Sequence, residues 1–357
     1  MTEYIKEDVS GEPHRRRARY KGKYPRNYKE KYKELHPERY ADTVQKVMRK
    51  GSTPAGMHIP ILVQEILGFL QIRPGMKGFD ATLGYGGHTL AMLKQMEHQG
   101  MLYAGDVDPI ESAKTQQRLA HLGYGQDVLT VKLMNFAQID QLVAEVGTFD
   151  FILADLGVSS MQIDNPERGF SYKNNGPLDL RLNPQCGISA AERLRHISQD
   201  ELEGMLLENA DEPYARAIAR RVVSYIHQGR CIETTAALHH IIEEVLAKEN
   251  IAADELQEAV KKSSARTFQA LRIDVNHEYE VLYEFLRKLP DALSAGGRVA
   301  VLTFHSGEDR LVKKAFKEFY RQGIYSDIAK DVIRPSAEEC ARNSRAHSTK
   351  MRWAVKV

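Results

Sequence analysis

Cysteine and tryptophan are scarce in this chain: of 357 residues, three are cysteine and one is tryptophan. Cys186, Cys231 and Cys340 lie far apart and form no CxxC pair. That excludes a disulfide scaffold and a zinc ribbon, and it points to a reducing compartment. No apolar run approaches the ~18 residues needed to cross a bilayer. The opening Met-Thr-Glu-Tyr-Ile-Lys-Glu lacks the apolar core of a signal peptide. Neither a GxSxG elbow nor a Walker A sequence occurs, which removes support for acyl hydrolysis and P-loop NTP hydrolysis. His58, His88 and His305 show no metal-ligand spacing, so no metal is expected. What is left is a cytoplasmic globular protein with no membrane partner. Its 42% hydrophobic content is enough to bury a sizeable core.

A net charge of +2 conceals an uneven distribution: residues 1–50 hold 15 Lys/Arg against 8 Asp/Glu, and the remainder 35 against 40. The same fifty residues contain six of the 16 tyrosines. From Pro25 they read as one short helix, and Pro37 suits the first turn of a second. Tyr28 and Tyr32 are one helical turn apart among Arg26, Lys29, Lys31 and Lys33. Cations interleaved with rings suit a surface that stacks on bases and tracks phosphates. A tail packed on its parent domain, or simply solvated, would carry the same residues. Residues 1–52 are therefore set apart as a basic, tyrosine-rich extension with either role open.

After Gly51 the pattern changes. Residues 58–70 carry helix-spaced apolar positions, and short apolar runs then alternate with helical stretches. The runs at 77–83, 101–107, 129–136 and 149–156 read as buried parallel strands, separated by helices near 88–98, 109–122 and 137–146. Such alternation predicts a doubly wound α/β sheet. It stops at 161–276, where a loop rich in Gly, Pro and Asn precedes helical periodicity at 189–226, 235–249 and 252–275. A helix near 277–293 leads back to strands at 297–304 and 351–357. The expected organisation is one α/β domain, residues 53–160 and 277–357, interrupted by a mostly helical insert at 161–276. That insert has 14 basic and 18 acidic residues. Nucleic-acid contact there must be local, as at Arg216, Arg220 and Arg221 or at Lys261, Lys262 and Arg266.

The first strand runs into Asp80-Ala81-Thr82-Leu83-Gly84-Tyr85-Gly86-Gly87-His88-Thr89, a glycine turn that lets a ligand approach backbone closely. The second ends at Asp106, 22 residues after Gly84, where a carboxylate can take ribose hydroxyls. Nicotinamide dehydrogenases and S-adenosylmethionine methyltransferases share this arrangement. Thr89 stands where a GxGxxG fingerprint requires Gly or Ala, which weighs against the nicotinamide reading. A turn without a ligand would leave Asp106 unexplained.

The fourth strand ends in Ala154-Asp155-Leu156-Gly157-Val158-Ser159-Ser160. Ligands of open α/β sheets sit beyond such carboxyl ends. There Asp155 can accept a hydrogen from an exocyclic amine, whose ring-delocalised lone pair makes it a poor nucleophile and gives positioning its value. A helix cap is the plainer role. Cytosine C5 methylation would need a thiolate near this strand, and Cys186 is roughly 30 residues away in a loop.

The strings DATLGYGGHT (80–89), ADLGVSSMQIDNPERGFSYKNNGPLDLRL (154–182), ARTFQALRIDVNHE (265–278) and TFHSGEDRLVK (303–313) resemble the ribosomal RNA small-subunit methyltransferase H family. The similarity runs from about His58 to the C-terminus. It implies a Rossmann-like class I methyltransferase sheet that uses S-adenosylmethionine to methylate N4 of a cytidine in the decoding region of 16S rRNA. The substrate would be the assembled 30S particle, and a homodimer is compatible. Gly84, Gly86, Gly87, His88, Asp106, Phe136, Asp155 and Gln162 would then form the cofactor site. Phe136 and Gln162 enter through the resemblance alone. Asp155 is the candidate catalytic group, with service to the cofactor only as the alternative. Arg168, Phe170, Asp179, Arg181, His305 and Arg310 are candidate substrate contacts, with Phe170 or Tyr172 stacking on an extruded cytosine. An Asp179–Arg181 pair that merely orders the loop is the competing reading. The chain departs from the family's common pattern at Tyr85, Asn183, Gly307 and the NADEPYA stretch (209–215).

Overall fold

The computed structural model describes residues 60–357. The basic extension, and the expected base-stacking or packing role of its tyrosines, lie outside the described residues.

The described chain opens with helix α1 (Val63–Leu70) and then alternates β1 (Lys77–Asp80), α2 (Gly87–Met96), β2 (Met101–Asp106), α3 (Pro109–His121), β3 (Leu129–Leu133), α4 (Ile139–Val146) and β4 (Phe149–Asp155). Helices α5 (Ser160–Asp164), α6 (Ala190–His196), α7 (Gln199–Ala210), α8 (Ala215–His227), α9 (Thr235–Leu246), α10 (Leu256–Val275) and α11 (Glu278–Ala292) follow without a strand between them. The sheet then resumes with β5 (Leu293–Thr303), α12 (Ser306–Arg321), β6 (Tyr325–Ile328), α13 (Ala337–Arg342) and β7 (Lys350–Lys356). Among the described residues no helix is long and apolar enough to cross a membrane.

The seven strands lie in the order β3-β2-β1-β4-β5-β7-β6, parallel except for β7, which runs against both β5 and β6. Because the winding reverses between β1 and β4, their carboxyl ends open a crevice where ligands of such sheets bind. Period-two alternation supplies both faces of the sheet. Phe151, Leu153, Ala300 and Leu302 pack in one cluster with Ile66 of α1 and with Met92 and Leu93 of α2. Phe79, Ile152, Val299 and Val301 point the other way, against Leu282, Phe285 and Leu289 of α11. Burial on both faces is why these strands read as continuous apolar runs.

The helices between β4 and β5 have a hydrophobic cluster of their own, with Leu194, Leu206, Ile218, Leu238, Ile242 and Leu271 inside it. Helix α10 packs on both α7 and α9, and α11 returns the chain to the sheet. The helical periodicity expected at 189–226 is divided among three helices, since Ser198 caps α7 and Asp211 ends it in left-handed backbone. Four elements were not expected, two of them the short helices α5 and α13. Strand β6 is four residues with only Tyr325 fully buried, too short and polar to stand out, and α12 follows a stretch read only for its chemistry.

Candidate active site

The site is built from the turn after β1. Leu83 donates its N–H to the Gly105 carbonyl (2.9 Å) and Gly86 to the Leu83 carbonyl (2.7 Å), which closes the turn against β2. Gly86 begins α2 with φ of 67°, and a Cβ there would meet Thr115 Cγ2 at 2.8 Å. Backbone conformation and space both demand glycine at this position. The Gly84 N–H donates to Asp106 Oδ2 (2.8 Å), and Asp108 N–H to Asp106 Oδ1 (2.8 Å). Burial pushes the Asp106 carboxyl up to about 6, against the lowering effect of those two N–H groups. Beneath the turn, Thr89 donates its hydroxyl to buried Asp80 Oδ2 (2.7 Å). Thr89 therefore stands in the third-glycine position because Asp80 needs a partner.

A cavity of about 1250 Å³ fills the crevice. Gly84, Gly87, His88, Asp106, Phe136, Asp155 and Gln162 all line it, so the structure gathers seven of the eight expected cofactor residues. Gly86 is buried and lies off the cavity wall, where it forms the turn that carries Gly84 and Gly87. Phe136 is half-buried, with its edge against Phe285 at 5.0 Å. Gln162 accepts the Ser159 N–H (2.9 Å) and donates to Asp108 Oδ2 (3.0 Å), so its amide is already held at both ends.

At the end of β4, Asp155 N–H is fixed by the Thr82 hydroxyl (2.7 Å), and Asp155 Oδ2 faces His88 Nδ1 at 3.3 Å. His88 Nε2 lies 2.9 Å from the Ile61 carbonyl. Both ring nitrogens thus face acceptors, which only an imidazolium satisfies with two donors. Burial lowers the His88 pKa, but the hydrogen bond and charge of Asp155 outweigh it, and the net direction is up. Asp155 Oδ1 is buried with no hydrogen-bond partner. This orphaned acceptor on the cavity wall, the carboxylate of Asp106 and the open backbone of the glycine turn suit a ligand with an amine, a ribose and a polar tail. They fit S-adenosylmethionine.

Several expected substrate contacts prove to be structural. Arg168 is 8% exposed and donates to Asp108 Oδ2 (2.6 Å) and to the Arg181 and Leu182 carbonyls (3.0 and 2.8 Å). Asp108 is fully buried and also caps α3 through its Oδ1. An arginine so enclosed has no donor to offer RNA. Asp179 and Arg181 bind each other in a two-point pair (2.8 and 2.7 Å), which orders the loop and leaves both off the cavity wall. Phe170 is buried in the helical cluster beside Arg168, though one side of it lines a smaller cavity together with Tyr172 and His305. Arg310 is exposed and lines neither cavity.

Sequence reasoning missed three relationships. One is the Arg168–Asp108–Gln162 network, although Asp108-Pro109 carries the signature of a capped helix start. Another is the His88–Asp155 pair. The third is a charged cluster at the starts of α11 and α12. There Glu278, His305 and Glu308 bring ligand atoms within 4.8 Å of one another. Arg272 already takes both oxygens of Glu278 (2.8 and 2.9 Å), so a guanidinium occupies the place of a cation. Burial would raise the Glu308 carboxyl, but His305 and Arg272 bring it below its ordinary range. The departures from family pattern also have partners. Tyr85 donates to Glu111 (3.0 Å) beneath Arg118, Asn183 accepts the Gln185 N–H (3.0 Å), and Gly307 lies against Tyr279.

A sequence model of the MraW methylase family matches residues 55–357. The chain is 66% identical over 344 residues to ribosomal RNA small subunit methyltransferase H 1 of Lachnoclostridium phytofermentans, covering 96% of this chain and 93% of that one. It is 64% identical to the protein of the same name in Agathobacter rectalis, covering 96% and 98%. Against ribosomal RNA small subunit methyltransferase H of Acidobacterium capsulatum it is 37% identical over 303 residues, 84% of this chain and 98% of that one.

Proposed function

Because the chain belongs to the MraW methylase family, we propose that it transfers a methyl group from S-adenosylmethionine to the exocyclic N4 of a cytidine in the decoding region of 16S rRNA. The observation that carries the mechanism is Asp155, whose Oδ2 is held by His88 while Oδ1 stays buried and unpaired on the cavity wall. When bound, the sulfonium cofactor supplies the electrophilic methyl.

The residues of the chain do the positioning. Gly84 and Gly87 leave backbone open to the cofactor's tail, Asp106 accepts its ribose hydroxyls, and Phe136 packs beside its adenine. Gln162 holds the wall through Asp108. Asp155 Oδ1 accepts an N4 hydrogen and turns the amine's lone pair toward the methyl, a gain from orientation rather than from covalent chemistry. With the cofactor bound as methyl donor, Asp155 would hold the N4 hydrogen and receive the proton that the amine gives up, passing it to water. Were Asp155 to serve the cofactor only, its orphan oxygen would take the cofactor's ammonium instead.

The helical segment at 161–276 is the domain that docks RNA, joined by Arg310 on the exposed face of α12 and by the basic extension at 1–52. The assembled 30S particle in the cytoplasm is the substrate, and a homodimer is compatible with this arrangement.

The test is incubation with tritiated S-adenosylmethionine and small ribosomal subunits from cells lacking the modification, followed by nucleoside mass spectrometry. N4-methylcytidine should appear with the unaltered chain and be lost with Asp155→Asn. Full turnover by that variant would remove Asp155 from the reaction.

A further inference from the structure

A second cavity of about 230 Å³ lies between the sheet and the helical segment. Val158, Ile163, Arg272 and Phe304 line both cavities, so the two chambers adjoin just past the Asp155 end of β4. A pocket of ~150 Å³ is enough to admit benzene. By size, the smaller chamber accepts one pyrimidine ring with its exocyclic groups. Its walls offer aromatic surface from Phe170, Phe268 and Phe304.

Its polar feature is His305. Both ring nitrogens of His305 are buried and lack a hydrogen-bond partner. Nε2 lies 3.3 Å from Glu308 Oε1, an ion-pair distance without hydrogen-bond alignment. Nε2 therefore has Glu308 beside it, whereas Nδ1 has neither ion pair nor hydrogen bond, and buried polar groups are rarely left so. Two orphans therefore flank the junction of the chambers: an acceptor, Asp155 Oδ1, on the large one, and His305 on the small one.

We propose that the smaller chamber is the pocket for the extruded cytosine. Its ring lies against Phe304 and Phe170, His305 donates an N–H to the N3/O2 edge, and N4 points back toward Asp155. The inference rests on the function proposed above and adds to it the place of the base and the residue that reads it. Cytosine presents acceptors at N3 and O2 and a donor at N4, so a donor on the first edge and an acceptor at the second together specify that base.

Ala265 gives a test that does not disturb the core, because it is exposed on α10 and yet lines the chamber. Methyl transfer to unmodified small subunits is measured for the unaltered chain, Ala265→Trp, His305→Leu and His305→Gln, alongside S-adenosylmethionine affinity and thermal unfolding. Ala265→Trp should lower kcat/KM by roughly 100-fold or more, because an indole takes the space of the base. His305→Leu should lower it about 10- to 100-fold, the worth of a base-edge hydrogen bond. His305→Gln should recover part of that loss, and cofactor affinity should hold throughout. Undiminished transfer by Ala265→Trp would overturn the pocket, even if His305→Leu failed to fold. Absence of transfer by the unaltered chain would instead sink the proposed function, and this inference with it.

Discussion

His88 grips one oxygen of Asp155 and leaves the other free: Nδ1 stands 3.3 Å from Oδ2, while Oδ1 is buried without a partner. His88 sits in the first turn of α2, after β1, and Asp155 ends β4, on either side of the point where the sheet's winding reverses. A carboxylate held at one oxygen cannot rotate its other oxygen away from the cavity without giving up the imidazolium. This fixes the direction of an acceptor before any ligand arrives, which is the economy of a preorganised site.

The pair predicts a pH-dependent contribution to stability. His88 titrates above its ordinary 6.5 because Asp155 outweighs the lowering effect of burial; the Ile61 carbonyl and Asp80 add to the rise. A raised folded-state value means stability that is fully present below the unfolded value and lost as pH climbs through the folded one. The unfolding free-energy difference between the unaltered chain and His88→Gln should be about 1–3 kcal/mol near pH 6 and shrink toward pH 9. Urea unfolding at both pH values measures it. A difference that does not change with pH would mean His88 is neutral.

Asp106 gives a second titration of the same sign by another cause. Burial lifts its carboxyl from 3.8 to about 6, despite N–H donors from Asp108 and Gly84. Between those values the folded chain holds a proton that the unfolded chain has released. Stability is therefore full below the lower value and falls as pH rises through the upper. Asp106→Asn should abolish that fall and weaken S-adenosylmethionine binding about 10-fold at neutral pH, the worth of one lost acceptor. Calorimetry from acid to neutral pH, with a cofactor titration, reads both. Retention of the pH slope in the variant would assign it to another group.

How much of this was written in the sequence differs by element. Strand β4 and the second half of β5 were legible because a strand buried on both faces is apolar throughout; β1, β2, β3 and β7 are less completely buried and showed as short apolar runs between helical stretches or at the end of the chain. Asp106 and Asp155 were legible because topology alone places a strand's carboxyl end at the crevice. Pairing was not: periodicity carries no record that Arg168 reaches back 60 residues to Asp108. So Arg168 read as a cation for RNA when it is a buried strut, whereas the Asp179–Arg181 pair that orders the loop was one of the two readings the sequence offered for those residues. At Gly86 the structure shows the need of the turn, and the sequence does not separate that need from nearness to a ligand, since both leave a glycine.

The buried strut should fail like one. Arg168→Met leaves the fully buried Asp108 without its guanidinium and frees two carbonyls, so unfolding stability should fall by about 3–5 kcal/mol. Were Arg168 a phosphate contact, the variant would keep its stability and show a shallower salt dependence of RNA binding. Thermal unfolding and a salt titration therefore separate the two roles, and an unchanged melting temperature would restore the RNA assignment.

Gly307 concerns space rather than charge. A Cβ at this position would lie 2.0 Å from the Tyr279 hydroxyl and 2.7 Å from its Cζ, so the ring fills the volume a side chain would take. Tyr279 is itself held, donating to the Asn209 carbonyl at 3.3 Å, and burial pushes its phenol up to about 12. Gly307→Leu should therefore cost about 1–3 kcal/mol by overpacking. Adding Tyr279→Ala should return much of that loss, because the new side chain then occupies the vacated space. Glycine at this position and tyrosine on α11 are thus one choice made together. A double-mutant cycle on unfolding free energy measures the coupling; strictly additive losses would show that the two residues do not compete for the same volume.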